Sequence, residues 1–343
     1  MSFRAWVSVI TLILLSVVVY LAWPEITKAI GLIESTNIWI LSLLIPVQLI
    51  SYYANGGMIF SYLRSKGNLK TTTHWQMTRI ALELNFVNHI LPSGGAAGFS
   101  YLGWVLKRHG VSAGRATMAQ IVRFVLVFAS FIFLLLICIA ILVFDHRINK
   151  TIVILCAVMI AVVVIATAAI LYMVGNHRRL IKFSNWITKT VNKIVLKVTR
   201  GKKTKVLELE QVEAFFTDIH KDYLEILDEK KILIRPLIWS IIENIMNVAL
   251  IYVAFVSLGY WVSPPMLFMA CGLSSIAAVI SSVPGGAGVY ETVMVAFLAS
   301  SGVPAEVAIA GTLLARVALL GGTIIFGYVF YQLTINKYGK SSK

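Results

Sequence analysis

Two arginines lie far inside apolar runs of this sequence: Arg123, eleven residues after Ser112, and Arg316, twelve after Pro304. A charge at bilayer depth costs about 2.5 to 3.5 kcal/mol on insertion scales, so each needs an acid, a wet cavity or an anionic ligand. Close by are two glycine-rich breaks, Pro92-Ser93-Gly94-Gly95 and Pro284-Gly285-Gly286-Ala287-Gly288. A helix restarting after such a break presents free N–H groups and its positive dipole end. Glycine there lets an anion approach the backbone closely. The chemistry expected is therefore non-covalent capture of an anion by Arg123, Arg316 and the Gly94, Gly95, Pro284, Gly285, Gly286 and Gly288 backbone.

The acids and amides supply the opposing character. Glu291 follows Gly288 by three residues, Asn88 precedes Pro92 by four, and Glu243 and Asn247 share a helix face by their i,i+4 spacing. These groups would balance charge or hold a cationic group. The structural alternative for Glu291 is a charge that complements a helix N-terminus, and for Glu243 an ion pair with one of the arginines. Arg79 and Glu83 are spaced to neutralise each other. Six histidines show no H-x-x-x-H pairing, and Cys138, Cys156 and Cys271 stand singly in apolar runs. With no nucleophile elbow or paired catalytic carboxylates either, no catalytic residue, cofactor or metal is expected.

The elements that must position these residues follow from composition. Of 343 residues, 59% are apolar and 13% charged, with a mean hydropathy of +0.85, against about 25% charged in a soluble domain. A soluble core and a disordered chain are both excluded. The net charge of +15 would suggest nucleic acid in a soluble protein, but here it marks cytoplasmic loops and no nucleic-acid partner is expected. Spans of roughly 20 apolar residues are expected at 5–23, 37–63, 112–144, 151–175, 233–258 and 304–334. Regions 73–108 and 264–301 are apolar but broken by the two Pro/Gly motifs, and each half falls short of a crossing. Such breaks are tolerated at membrane depth where they are buried in protein or line a cavity, so both regions read as re-entrant hairpins. The alternatives are a headgroup-level helix for the first and two thin spans for the second. The expected fold class is an all-α polytopic membrane protein with six full spans plus two hairpins.

Orientation follows from the basic residues. With the N-terminus inside, 23 of the 30 Lys and Arg face the cytoplasm, and only Lys28, Arg147 and Lys150 face out. Both termini are then cytoplasmic, and the two hairpins enter from opposite sides. A shift of 192 residues aligns Pro92 with Pro284, Gly94 with Gly286, Gly110-Val111 with Gly302-Val303, Ala116 with Ala308 and Asn55 with Asn247, while Arg123 misses Arg316 by one position. The pattern reads as inverted repeats over 37–144 and 233–334 within a single membrane domain, 1–343. Between them, 176–232 reads as a cytoplasmic linker of two amphipathic helices, interfacial or packed on each other.

Residues Pro284 to Glu291, Gly302-Val303-Pro304 and Arg316, with Pro92 to Gly98, Gly110-Val111-Ser112 and Arg123, give the chain its resemblance to the lysylphosphatidylglycerol synthase transmembrane-region, or flippase-like, family. The resemblance covers essentially the whole chain. It implies movement of a lipid between leaflets. In multiple peptide resistance factors such a domain is fused to an aminoacyltransferase, and this sequence is expected to be a stand-alone member without it. Stand-alone relatives are linked to polyprenyl-linked sugars and hopanoids. Two charged family positions differ here: Tyr290 replaces an arginine, and Phe99 replaces the glutamate of a Gly-Glu pair.

The function expected is a lipid flippase in the cell membrane, moving an anionic or aminoacylated phospholipid, or a polyprenyl or hopanoid-type lipid, through a midplane cavity. At 1.5 Å per residue Arg123 and Arg316 lie roughly 16 and 18 Å into their helices, both near mid-bilayer. Membrane lipids are the expected partners, with a second copy of the chain and a separate lipid-synthesising enzyme as further candidates. The competing readings are a membrane-embedded lipid-modifying transferase and a non-transporting subunit of an envelope assembly.

Overall fold

A computed structural model describes residues 36–91, 96–145, 150–199, 206–281 and 286–338, with isolated positions between 13 and 32. Most of the expected span 5–23 and the tip residues Gly94, Gly95, Pro284 and Gly285 lie outside the described residues. Every regular element among the described residues is helical. In chain order they are α1 (Ile38–Ser42), α2 (Leu44–Ser65), α3 (His74–Ile90), α4 (Ala96–Lys107), α5 (Ala113–Phe144), α6 (Lys150–Val174), α7 (His177–Val198) and α8 (Leu209–Asp228). A short turn then leads to α9 (Ile234–Ser257), α10 (Pro264–Ser281), α11 (Val289–Ser300) and α12 (Ala305–Tyr338).

Among the described residues, six helices are long and apolar enough to cross a membrane: Ile38–Ser65, Ala113–Phe144, Lys150–Val174, Lys230–Ser257, Pro264–Ser281 and Ala305–Tyr338. Five coincide with expected spans. The sixth, α10, is the first arm of the second broken region, and its 18 residues extend about 27 Å. The expectation that every arm falls short of a crossing therefore needs correction for α10, while α3, α4 and α11 have 17, 12 and 12 residues. Pro264 and Pro265 occupy the first turn of α10, where the missing N–H costs nothing, so they start the helix instead of interrupting it. Large apolar side chains such as Phe133, Leu136 and Ile137 on α5 and Ile154, Val158 and Ile165 on α6 are exposed. Only hydrocarbon can cover such a belt, so the chain is a multi-pass membrane protein.

Local signals set the helix ends. Thr73 forms a capping box with Gln76, and the Ser112 hydroxyl accepts from the Arg115 N–H at 3.3 Å. The stops repeat between the two halves. Gly67 (φ 76°) ends α2 and Gly259 (φ 78°) ends α9, with Asn68 N–H donating to Leu63 O at 3.0 Å and Tyr260 N–H to Phe255 O at 3.1 Å. Gly110 (φ 77°) and Gly302 (φ 92°) close α4 and α11 the same way, through Val111 N–H to Leu106 O at 3.1 Å and Val303 N–H to Leu298 O at 3.0 Å. These are Schellman stops, whose left-handed residue favours glycine. Each pair is separated by 192 residues.

At the centre α2 packs lengthwise on α9. Around them, α3 rests on α2 and α12, while α10 rests on α11 and α5. The first arm of each broken region thus contacts the last long helix of the other half. Two apolar clusters result, one around Phe86, Leu102 and Val122, the other around Phe255, Met269 and Leu298.

Helices α7 and α8 pack on each other, with Phe183 edge-on to Phe216 at 5.5 Å and Asn185 Nδ2 donating to Glu213 Oε1 at 3.2 Å. Helix α8 is latched to the membrane helices through buried Asp222. Its carboxylate accepts from the Tyr62 hydroxyl at 2.6 Å and from Arg115 Nε at 3.1 Å. Lys66 Nζ meets Glu225 Oε2 at 2.9 Å beside it. Burial pushes the Asp222 carboxyl up, against the pull of Tyr62 and Arg115. The Lys66 ammonium holds Glu225 below the usual carboxylate range.

Candidate functional site

Helix α2 carries Gln48, Ser51, Tyr52 and Asn55, a polar stripe at 3, 4 and 7 residue spacing on one face of an apolar helix. Helix α9 carries Glu243, Asn244 and Asn247 on the opposing face. Because α2 and α9 pack together, the two stripes meet. Asn55 Nδ2 donates to Glu243 Oε1 at 2.5 Å, and Ser51 Oγ donates to Asn247 Oδ1 at 3.0 Å. A shift of 192 residues converts Asn55 to Asn247 and Ser51 to Glu243, so the two hydrogen bonds exchange places. The outer contacts behave alike: Tyr52 hydroxyl pairs with Thr323 Oγ1 on α12, and Asn244 Nδ2 donates to Ser130 Oγ at 2.7 Å on α5. The contacts across α2 and α9 are therefore reciprocal.

Around this seam lies a cavity of about 360 Å³. Arg123 on α5 and Arg316 on α12 both reach its wall, and Glu243, Asn247 and Asn55 complete the polar side. Both arginines are 8% exposed, so solvent does little to screen them. Their surroundings differ. Arg316 Nε donates to Glu291 Oε1 at 2.6 Å, and its guanidinium lies 4.5 Å from the Tyr290 ring centre. Arg123 Nε donates to neutral Gln120 Oε1 at 2.9 Å, and its guanidinium lies 4.9 Å from the Phe124 ring centre. No salt bridge to Arg123 or Glu243 occurs among the described residues, although both line the cavity.

The asymmetry has a sequence cause. The residue one repeat before Glu291 is Phe99, which stacks on Phe124 at 5.8 Å and can neutralise nothing. Arg79 and Glu83 pair at 2.9 Å, with Glu83 also accepting from Tyr101 at 2.5 Å, so this pair closes on itself away from the cavity.

Of the site residues named from sequence, Arg123, Arg316, Glu243 and Asn247 line one cavity, and Glu291 stands behind Arg316. Asn88 is off the wall, its side chain lying against Gly98, where a Cβ would come within 2.3 Å of it. Gly286 is buried against Ala278 and Gly288 caps α11 in the left-handed region at φ 79°, both away from the wall. Sequence reasoning missed the α2 stripe as a lining, together with His89, Asn85, Tyr290 and Thr312. The spacing of Gln48, Ser51, Tyr52 and Asn55 was the available signal.

Comparison with known proteins places the chain among membrane proteins. A UPF0104 membrane protein of Methanocaldococcus jannaschii, MJ1595, is 26% identical over 247 residues, covering 71% of this chain and 70% of that protein. The model of the lysylphosphatidylglycerol synthase TM region matches residues 6–327, which take in both halves, the linker and the cavity between them. The chain therefore belongs to the lysylphosphatidylglycerol synthase transmembrane-region family.

Proposed function

We propose that the protein is a lipid flippase of the cell membrane with both termini in the cytoplasm, moving an anionic or aminoacylated phospholipid, or a polyprenyl or hopanoid-type lipid. The observation that carries this reading is the cavity between two repeated halves, lined by an arginine from each half, one of which lacks a carboxylate partner among the described residues. Arg123 is the anion-binding arginine in this reading, and Arg316, restrained by Glu291, shapes the opposite wall. A phosphate would sit against Arg123 while the acyl chains stay in the bilayer. The reciprocal hydrogen bonds across α2 and α9 support two inverted repeats, the short arms α3 and α4 support a re-entrant hairpin in the first, and the contact of each broken region's first arm with the last long helix of the other half supports halves that rock against each other to expose the site alternately. The role assigned is transport, without chemistry on the lipid.

The test is movement of labelled phosphatidylglycerol and aminoacyl-phosphatidylglycerol in proteoliposomes. A charge-assisted hydrogen bond contributes about 1.5 to 3 kcal/mol, so Arg123→Ala should lower transport about ten- to hundredfold. Equal movement by wild type, Arg123→Ala and Arg316→Ala would remove the site from the mechanism.

A further inference from the structure

The charges around the cavity balance before any ligand arrives. Among the described residues they are Arg123 and Arg316 against Glu243 and Glu291. A phosphodiester headgroup adds one negative charge, and an uncompensated charge at this depth is strongly disfavoured. Resting on the flippase reading above, we propose that the cavity takes an anionic lipid headgroup together with one proton, and that the proton is carried by Glu243.

The geometry selects this residue. Glu243 Oε1 is occupied by the Asn55 amide at 2.5 Å, which fixes it as an acceptor in either protonation state. Glu243 Oε2 is buried without a hydrogen-bond partner among the described residues, so the proton goes there. Once protonated, Glu243 no longer carries a charge on the wall that also holds Arg123, and the arginine's positive charge is left for the phosphate. Glu291 Oε2 is likewise buried without a hydrogen-bond partner among the described residues, but Glu291 already pairs with Arg316 Nε at 2.6 Å, whereas Glu243 has no salt bridge among them. The other titratable groups facing the cavity are His89 on α3, Tyr52 on α2, Cys271 on α10 and Tyr290 on α11. Tyrosine and cysteine ordinarily hold their proton at neutral pH and take up no second one. His89 is the competitor: its Nδ1 donates to Asn85 O at 2.8 Å, which leaves Nε2 as the nitrogen that could take a proton, and the His89→Gln variant below separates it from Glu243. A zwitterionic lipid brings no net charge and needs no proton, so the linkage discriminates between lipid classes.

The full-length protein in detergent is titrated with short-chain phosphatidylglycerol, and proton uptake is obtained from calorimetry in buffers of different ionisation enthalpy. The expected result is about one proton taken up per phosphatidylglycerol bound and none with phosphatidylethanolamine. Affinity for phosphatidylglycerol should weaken about tenfold per pH unit where Glu243 must be protonated to bind. Glu243→Gln, which mimics the protonated acid, should bind phosphatidylglycerol without uptake and with no pH dependence, while His89→Gln should keep the uptake. Binding of phosphatidylglycerol without a proton overturns the proposal, as does uptake that persists in Glu243→Gln. If Glu243→Gln does not fold, binding without proton uptake in wild type still overturns the linkage, and loss of the uptake in His89→Gln overturns its assignment to Glu243. Proton-linked binding with no lipid movement in liposomes would sink the transport reading and leave the linkage standing, whereas absence of phosphatidylglycerol binding would sink the linkage and leave transport of the other lipids to the liposome assay.

Discussion

Loss of the Asp222 carboxylate should loosen the cytoplasmic latch by an amount its burial dictates. Asp222 has 2% side-chain exposure and holds two donors, the Tyr62 hydroxyl at 2.6 Å and Arg115 Nε at 3.1 Å. Asp222→Ala leaves both without it. Removing one partner of a buried pair costs about 3 to 5 kcal/mol. The low end, about 3 kcal/mol, applies because Arg115 is 29% exposed and keeps Asn68 Oδ1 at 3.2 Å and Glu225 at 3.7 Å. Glu225 belongs to the same latch but is 37% exposed, so Glu225→Ala should cost only about 0 to 1 kcal/mol. Tyr62→Phe removes a single hydrogen bond to a charged group and should fall between, at about 1.5 kcal/mol. Unfolding in mixed micelles of mild and denaturing detergent, followed by tryptophan fluorescence, would rank the three. Equal losses for Asp222→Ala and Glu225→Ala would refute the argument that burial, not the number of ion pairs, sets the strength of this contact.

Further expectations concern pH, packing and the seam. Glu225 is held below its ordinary pKa by Lys66, so its contribution is complete above about pH 4.3 and lost as pH falls through the depressed value. The stability gap between wild type and Glu225→Gln should therefore be present at neutral pH and vanish in acid. Gly311→Ala would place a Cβ 2.6 Å from the ring of fully buried Phe255 and should destabilise by about 1 to 3 kcal/mol. Gly103→Ala meets nothing within 4 Å and should be neutral or gain from helix propensity in the same unfolding assay. A double-mutant cycle on Asn55→Ala and Glu243→Gln should show a coupling of about 1 to 2 kcal/mol, and additivity would contradict the 2.5 Å contact.

The sequence alone was sufficient for the class of solvent and most of the helices, because both depend on properties that short segments carry by themselves. Runs such as 112–144 and 151–175 are too apolar for water, and Ser112, Thr73 and Gly110 mark helix ends through bonds to their immediate neighbours. The 192-residue shift was also visible there, and the Gly67 and Gly259 stops would have strengthened it. What required the tertiary structure was partnership. The i,i+4 spacing of Arg79 and Glu83 announced their pair, but the bond between Glu291 and Arg316 spans 25 residues and that between Asn55 and Glu243 spans 188. No local pattern encodes such contacts. They exist because α2 and α9 lie side by side and α11 rests on α12. That packing brings both arginines to one cavity and sets Glu291 against Arg316 while Arg123 meets Gln120.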